Sequence, residues 1–113
     1  MGRRKAIPNF IREGVYKRFH GRCAYCGKKI TLKEMQVDHI QSVYQGGADS
    51  LDNYRASCRA CNYYKGGGDQ EYLRNQISQT VHRLTERNFI FRMALAYGLI
   101  SIHEKPIVFD FEK

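Results

Sequence analysis

Apolar and polar positions follow three different rhythms along the chain. Over residues 8–20, Ile11, Val15 and Phe19 recur every fourth position, Arg12, Lys17 and Arg18 stand between them, and Pro8 sits where a first helical turn tolerates proline. The spacing predicts a short basic amphipathic helix, closed at His20-Gly21 where glycine accepts left-handed backbone. A second helical rhythm starts at Asp69, an expected N-cap, and puts Leu73, Ile77, Val81 and Leu84 in one stripe that should face a core. Asn88 interrupts it. Phe89 to Tyr97 reads as a further helix ending near Gly98, and Pro106 to Phe111 reads as a closing strand, because proline disfavours helix and branched and aromatic residues favour extended backbone.

The middle stretch behaves differently. Met35 to His39 alternates like a short strand, Gln45-Gly46-Gly47 is turn-like, Asp52 to Cys58 can return as a second strand, and Arg59 to Lys65 is helical until Gly66-Gly67-Gly68 stops it. The predicted fold class is therefore α+β: an N-terminal basic helix within residues 6–22, a strand–loop–strand–helix core over 23–68, and a helical wrap with a terminal strand over 69–113.

With 113 residues and 13.2 kDa the stretch holds one domain. A core this small leaves little stability margin, so a staple is expected. Two cysteine pairs supply it: Cys23-Ala24-Tyr25-Cys26 and Cys58-Arg59-Ala60-Cys61, with 31 residues between them. A two-residue spacer lets two thiolates of one tight turn converge on an ion, and two such turns complete a tetrahedron about zinc. Four sulfurs leave no open position for water, which makes this zinc structural. No secretory signal or long apolar run stands in these residues, so the chain reads as cytoplasmic, without a membrane partner, and its cysteines as ligands in preference to disulfides.

The net charge of +8 is not spread evenly. Residues 1–36 hold ten Lys/Arg against two acids, while 37–68 and 69–113 are balanced at three against three and six against six. A polarised cationic surface points to nucleic acid. The pool is Arg3, Arg4, Lys5, Arg12, Lys17, Arg18, Arg22, Lys28, Lys29 and Lys33, with Arg18, Arg22, Lys28 and Lys29 the leading phosphate contacts. Lys65, one helical turn past Cys61, is added as a candidate for a scissile or flanking phosphate.

Between the knuckles stand Val37-Asp38-His39-Ile40, Gly46-Gly47, Asp52-Asn53 and, after Cys61, Asn62 and Lys65. In combination these residues resemble the HNH endonuclease family, whose pattern is a knuckle, Asp-His, a Gly-Gly loop, Asn, and a second knuckle followed by His or Asn. The resemblance implies a ββα-metal fold and a phosphodiester hydrolase acting on double-stranded DNA. It implies His39 as general base, Asp38 and Asn62 as oxygen ligands to Mg²⁺ or Mn²⁺, and Asn53 as the residue that holds the loop between the strands and so orients His39. Asn62 stands where the majority pattern has histidine, a variant shared with homing endonucleases and CRISPR effectors, and two hard oxygen donors favour Mg²⁺ or Mn²⁺ over softer ions. His20, His82 and His103 lie outside the pattern.

Two other classes compete: a zinc-stabilised nucleic-acid-binding module without catalysis, and an interaction subunit, for instance of a phage packaging machine. A homodimer through residues 69–113 is the alternative to their wrapping the zinc core. Scaffolding alone requires only the cysteines, so the joint presence of Asp38, His39, Asn53 and Asn62 favours the nuclease.

Overall fold

The computed structural model describes residues 6–41, 46 and 50–113. Arg3, Arg4 and Lys5 of the cationic pool, and Gln45 and Gly47 of the expected turn, lie outside the described residues.

Helix α1, Asn9–Arg18, follows Pro8 as its N-cap position and buries Val15, with Ile11 and Phe19 half-buried beside it. It ends in two left-handed residues, His20 (φ 57°) and Gly21 (φ 69°), the second costing nothing because glycine lacks a Cβ. The Gly21 carbonyl then accepts from the Ile30 amide at 2.9 Å, and Arg22 bridges Lys29, so the first knuckle is a small loop folded back on itself. Arg12 is not a free cation: its guanidinium donates to the carbonyls of Leu32 (2.8 Å) and Met35 (2.9 Å), tying α1 to the segment that leads into the sheet.

Strands β1, Gln36–His39, and β2, Tyr54–Ser57, pair antiparallel, with Asp38 opposite Arg55 and His39 opposite Tyr54. Side chains alternate across a strand, so Asp38 and Arg55 share one face, and Val37, His39, Tyr54 and Ala56 the other. The second face joins α1 through Val15 in a core that also includes Met35 and Ile30. Helix α2, Arg59–Lys65, is capped at its start by the Cys58 sulfur and packs on β1. Strand, loop, strand and helix thus occur in the order the sequence predicts.

The C-terminal third departs from expectation. One long helix was expected from Asp69, and Asp69 does cap α3, Gln70–Ser78, by accepting from the Tyr72 amide at 2.8 Å. The helix breaks at Gln79, whose amide bonds the Gln76 carbonyl at 3.3 Å while the Thr80 hydroxyl takes the Ile77 carbonyl. A hydroxyl competing for a backbone acceptor in this way loosens a helix. Helix α4, Thr80–Arg87, follows the break, and the apolar stripe is not buried along its length: Leu73 is buried, Ile77 half-buried, and Val81 and Leu84 are exposed. Helix α5, Phe89–Ala96, capped by Asn88, turns Phe91, Ala94 and Leu95 inward and leaves Phe89, Ile90 and Tyr97 exposed. Of these three helices only α3 buries a residue completely, Leu73, against the core that holds Cys23 and Cys58. A radius of gyration of 16.7 Å, against about 13 Å for a compact domain of this length, accords with this sparse burial of α4 and α5.

Residues 106–111 do not form the expected strand. Instead of joining a sheet, the tail lays its backbone on the first knuckle, Asp110 and Phe111 donating to the Tyr25 and Ala24 carbonyls at 2.9 and 3.0 Å, and closes in a 3-10 turn over Asp110–Glu112. Phe109 is buried there, edge-on to Tyr25, under the Arg74 guanidinium. Arg74 also pairs with Glu112 at 2.7 Å, raising its own pKa and lowering that of Glu112.

Candidate metal centres

The two knuckles meet. Sulfurs of Cys23, Cys26, Cys58 and Cys61 all lie within 4.8 Å of one another, those of Cys26 and Cys58 at 3.9 Å. That is far beyond a disulfide bond, whereas zinc–sulfur bonds of about 2.3 Å set tetrahedral sulfurs about 3.8 Å apart. The four cysteines can therefore hold a metal ion, and zinc fits their donors and spacing. Among the described residues no other group of three His, Cys, Asp or Glu side chains is so arranged. Without a cation the cage cannot carry four charges: a hydrogen bond from Cys61 holds Cys23 down at about 4, while the same bond, with burial, pushes Cys61 far up, and burial raises Cys26. An ion binding there would displace the remaining protons.

Beside the cage sits Asp38, only 6% exposed. A lone buried carboxylate is costly, and this one has a partner at each oxygen. One oxygen accepts a short hydrogen bond from the Tyr25 hydroxyl, and the other takes the Lys65 ammonium at 3.1 Å. Burial, then the carboxylate's charge, push the Tyr25 phenol well above its usual range, so it stays protonated and donates.

Lys65 is where sequence reasoning places a phosphate contact and the structure places something else. It is 1% exposed, and its ammonium bonds Asp38 and, at 3.1 Å, the His39 carbonyl. The last turn of α2 packs on β1, so an inward-facing lysine finds a buried carboxylate before it finds solvent. Asn62 stands three residues earlier, on the same face of α2, half-buried. An Asp38 carboxylate and an Asn62 amide are hard oxygen donors, few in number, as suits an ion that keeps several waters.

His39 ends β1, one residue beyond Asp38 and therefore on the opposite face, its ring edge-on to Tyr54 at 5.2 Å between centroids. Asn53 lies at the base of the same loop. Its amide accepts from the Gln41 N–H and donates to the Gln41 carbonyl, both at 2.9 Å, while the Ile40 amide takes the Asn53 carbonyl at 2.7 Å. This reciprocal pair closes the chain directly after His39.

Of the expected phosphate contacts, Arg18, Arg22, Lys28 and Lys29 are exposed on the N-terminal side. Arg18 leans on the Leu51 carbonyl and Arg22 on that of Gly27, each through one guanidinium nitrogen. Tyr63, next to Asn62, is 85% exposed, while Tyr64 packs against the core. Tyr25 went unrecognised as a site residue; the only signal was an aromatic hydroxyl in a spacer whose other position is alanine.

Comparison with known proteins bears on this segment. The HNH endonuclease family model matches residues 23–68. The CRISPR-associated endonuclease Cas9 of Corynebacterium diphtheriae is 42% identical over 45 residues, which are 39% of this chain and 4% of that protein. A solved structure of the Type II-C Cas9 enzyme from Actinomyces naeslundii superposes with a TM-score of 0.56 at 24% identity, covering 67% of this chain and 9% of that one, a likeness of fold. The chain thus spans a small fraction of either relative. No described helix is long and apolar enough to cross a membrane.

Proposed function

With an HNH endonuclease segment at residues 23–68 as the premise, we propose that the protein is a divalent-metal-dependent endonuclease that hydrolyses phosphodiester bonds of double-stranded DNA. The observation that carries this reading is the buried Asp38, each of its oxygens holding one hydrogen bond, adjacent to His39 and facing the helix that carries Asn62.

Asp38 and Asn62 would hold Mg²⁺ or Mn²⁺, which when bound would stabilise charge on the phosphate and on the leaving 3′ oxygen. His39 would take the proton from the attacking water, a task suited to an imidazole near neutral pH. Because Asp38 and His39 face opposite sides at the end of β1, the scissile phosphate would lie beyond the strand's end, where both can reach it. Asn53 would keep the His39 ring from drifting by fixing the backbone that follows. Zinc, held by the four cysteines, would keep both knuckles and α2 in place and take no part in chemistry.

Arg18, Arg22, Lys28 and Lys29 would track backbone phosphates without reading sequence, and exposed Tyr63 would rest on a sugar or base. The exposed apolar side chains of α4–α5, Val81, Leu84, Phe89 and Ile90 among them, would suit a second component, whether a second copy of this chain or a packaging machine. A binding module without catalysis is the competing reading. Supercoiled plasmid incubated with zinc-loaded protein and Mg²⁺ or Mn²⁺ separates them: the nuclease gives nicked or linear DNA, and the binding module retards the plasmid but leaves it supercoiled.

A further inference from the structure

Each knuckle sends one side chain onto the same carboxylate. Tyr25, inside the first knuckle, donates to one oxygen of Asp38. Lys65, one turn after Cys61 of the second, donates to the other oxygen at 3.1 Å. The sulfur cage joins the two knuckles, and the Ala24 amide donating to the Ala56 carbonyl at 2.8 Å ties the first knuckle to β2 just before the second, so the separation between the Tyr25 hydroxyl and the Lys65 ammonium is set at this junction. The geometry points to Tyr25 as a positioning residue that couples the cysteine cage to the divalent-ion site at Asp38. This inference rests on the nuclease reading and adds to it that the structural ion tunes the affinity of the other.

A carboxylate on a strand can rotate about its terminal torsion, which is broad. With Lys65 alone it would swing toward the ammonium and pair with it through both oxygens. The Tyr25 hydroxyl, itself fixed because Phe109 and Phe111 stand edge-on to its ring at 5.1 and 6.0 Å, opposes that swing. It leaves each oxygen with one hydrogen bond and a second lone pair free to meet a cation on the Asn62 side. Arg55 stacks on Phe111 at 3.7 Å and holds the aromatic group from beyond. None of these groups needs to touch DNA.

Manganese binding to zinc-loaded protein, read by electron paramagnetic resonance, tests this without cleavage. Wild type should take up one Mn²⁺ that Asp38→Ala loses. Tyr25→Phe should keep its full zinc content and a cooperative melt while binding Mn²⁺ about 10–100-fold more weakly, the range expected when an outer-shell partner is removed. In cleavage assays its half-saturating Mg²⁺ should rise by a similar factor with the maximal rate little changed. Equal Mn²⁺ affinity in wild type and Tyr25→Phe overturns the positioning role and leaves the nuclease reading standing. A wild type that binds no Mn²⁺ sinks the nuclease reading itself. Should Tyr25→Phe fail to load zinc, wild type answers alone: saturating Mn²⁺ should slow zinc release to a chelator at least threefold, since coupling between two sites is reciprocal, and unchanged release overturns the inference.

Discussion

Replacing Lys65 by methionine removes one charge from a pair whose side chains are 1% and 7% exposed. Screening by water is negligible at that depth, so the pair does not fall among surface bridges of little consequence. The variant leaves the Asp38 carboxylate with Tyr25 as its hydrogen-bond donor and strips the His39 carbonyl of the ammonium. Breaking a buried pair by removing one partner costs about 3–5 kcal/mol. Unfolding a chain of 113 residues releases about 2.1 cal/mol/K per residue, so Lys65→Met should lower the Tm by about 13–21 °C. Asp38→Asn added to Lys65→Met removes the stranded charge and should recover at least half of that loss. Circular dichroism melts at neutral pH, on samples of verified zinc content, measure both. A Tm for Lys65→Met within about 3 °C of wild type, or a double variant no more stable than the single one, would refute the claim that Lys65 is a buried counter-ion and return it to the phosphate-binding surface.

Three further outcomes are expected. Asn53→Ala should lose both bonds to Gln41, costing about 1–2 kcal/mol, and should cut cleavage at least tenfold with zinc content unchanged; undiminished cleavage would show that the loop needs no such brace. Cys58→Ser, or wild type stripped by a strong chelator, should lose the cooperative melt because metal affinity here is folding free energy, and a stable zinc-free domain would contradict the staple. Arg74 holds Glu112 below its ordinary value of 4.5, so the contact stabilises the tail above that pH and is lost as the pH falls through the lower folded value. Exchange protection of the Asp110 and Phe111 amides should drop with acid accordingly, and Glu112→Gln should show weaker protection already at neutral pH.

Much of the central segment was legible because its physics is local. Cysteine spacing, glycine stops and short alternation fix the knuckles, the hairpin and α2 without distant information. The partners of Asp38 were not legible, because Tyr25, Asp38 and Lys65 are far apart in sequence and nothing in a lysine's neighbours distinguishes a buried counter-ion from a phosphate contact. Only the packing of α2 on β1 decides that. The C-terminal third misled for a related reason. Leu73, Ile77, Val81 and Leu84 keep helical periodicity, yet the last two, beyond the break at Gln79, are exposed, and a periodic stripe carries no information on whether the chain continues straight. Pro106 to Phe111 has the composition of a strand; its backbone donors go to the carbonyls of Ala24 and Tyr25, and the tail becomes a strap across the knuckle.

The most direct test of the account is cleavage of supercoiled plasmid by zinc-loaded wild type and His39→Ala, side by side in Mg²⁺ and in EDTA at a level that spares the cysteine-bound zinc. The account predicts nicked or linear product with wild type in Mg²⁺ alone, and a rate about 10²–10⁴-fold lower for His39→Ala at equal DNA affinity. Supercoiled DNA left intact by folded wild type, or equal rates for the two proteins, would contradict it.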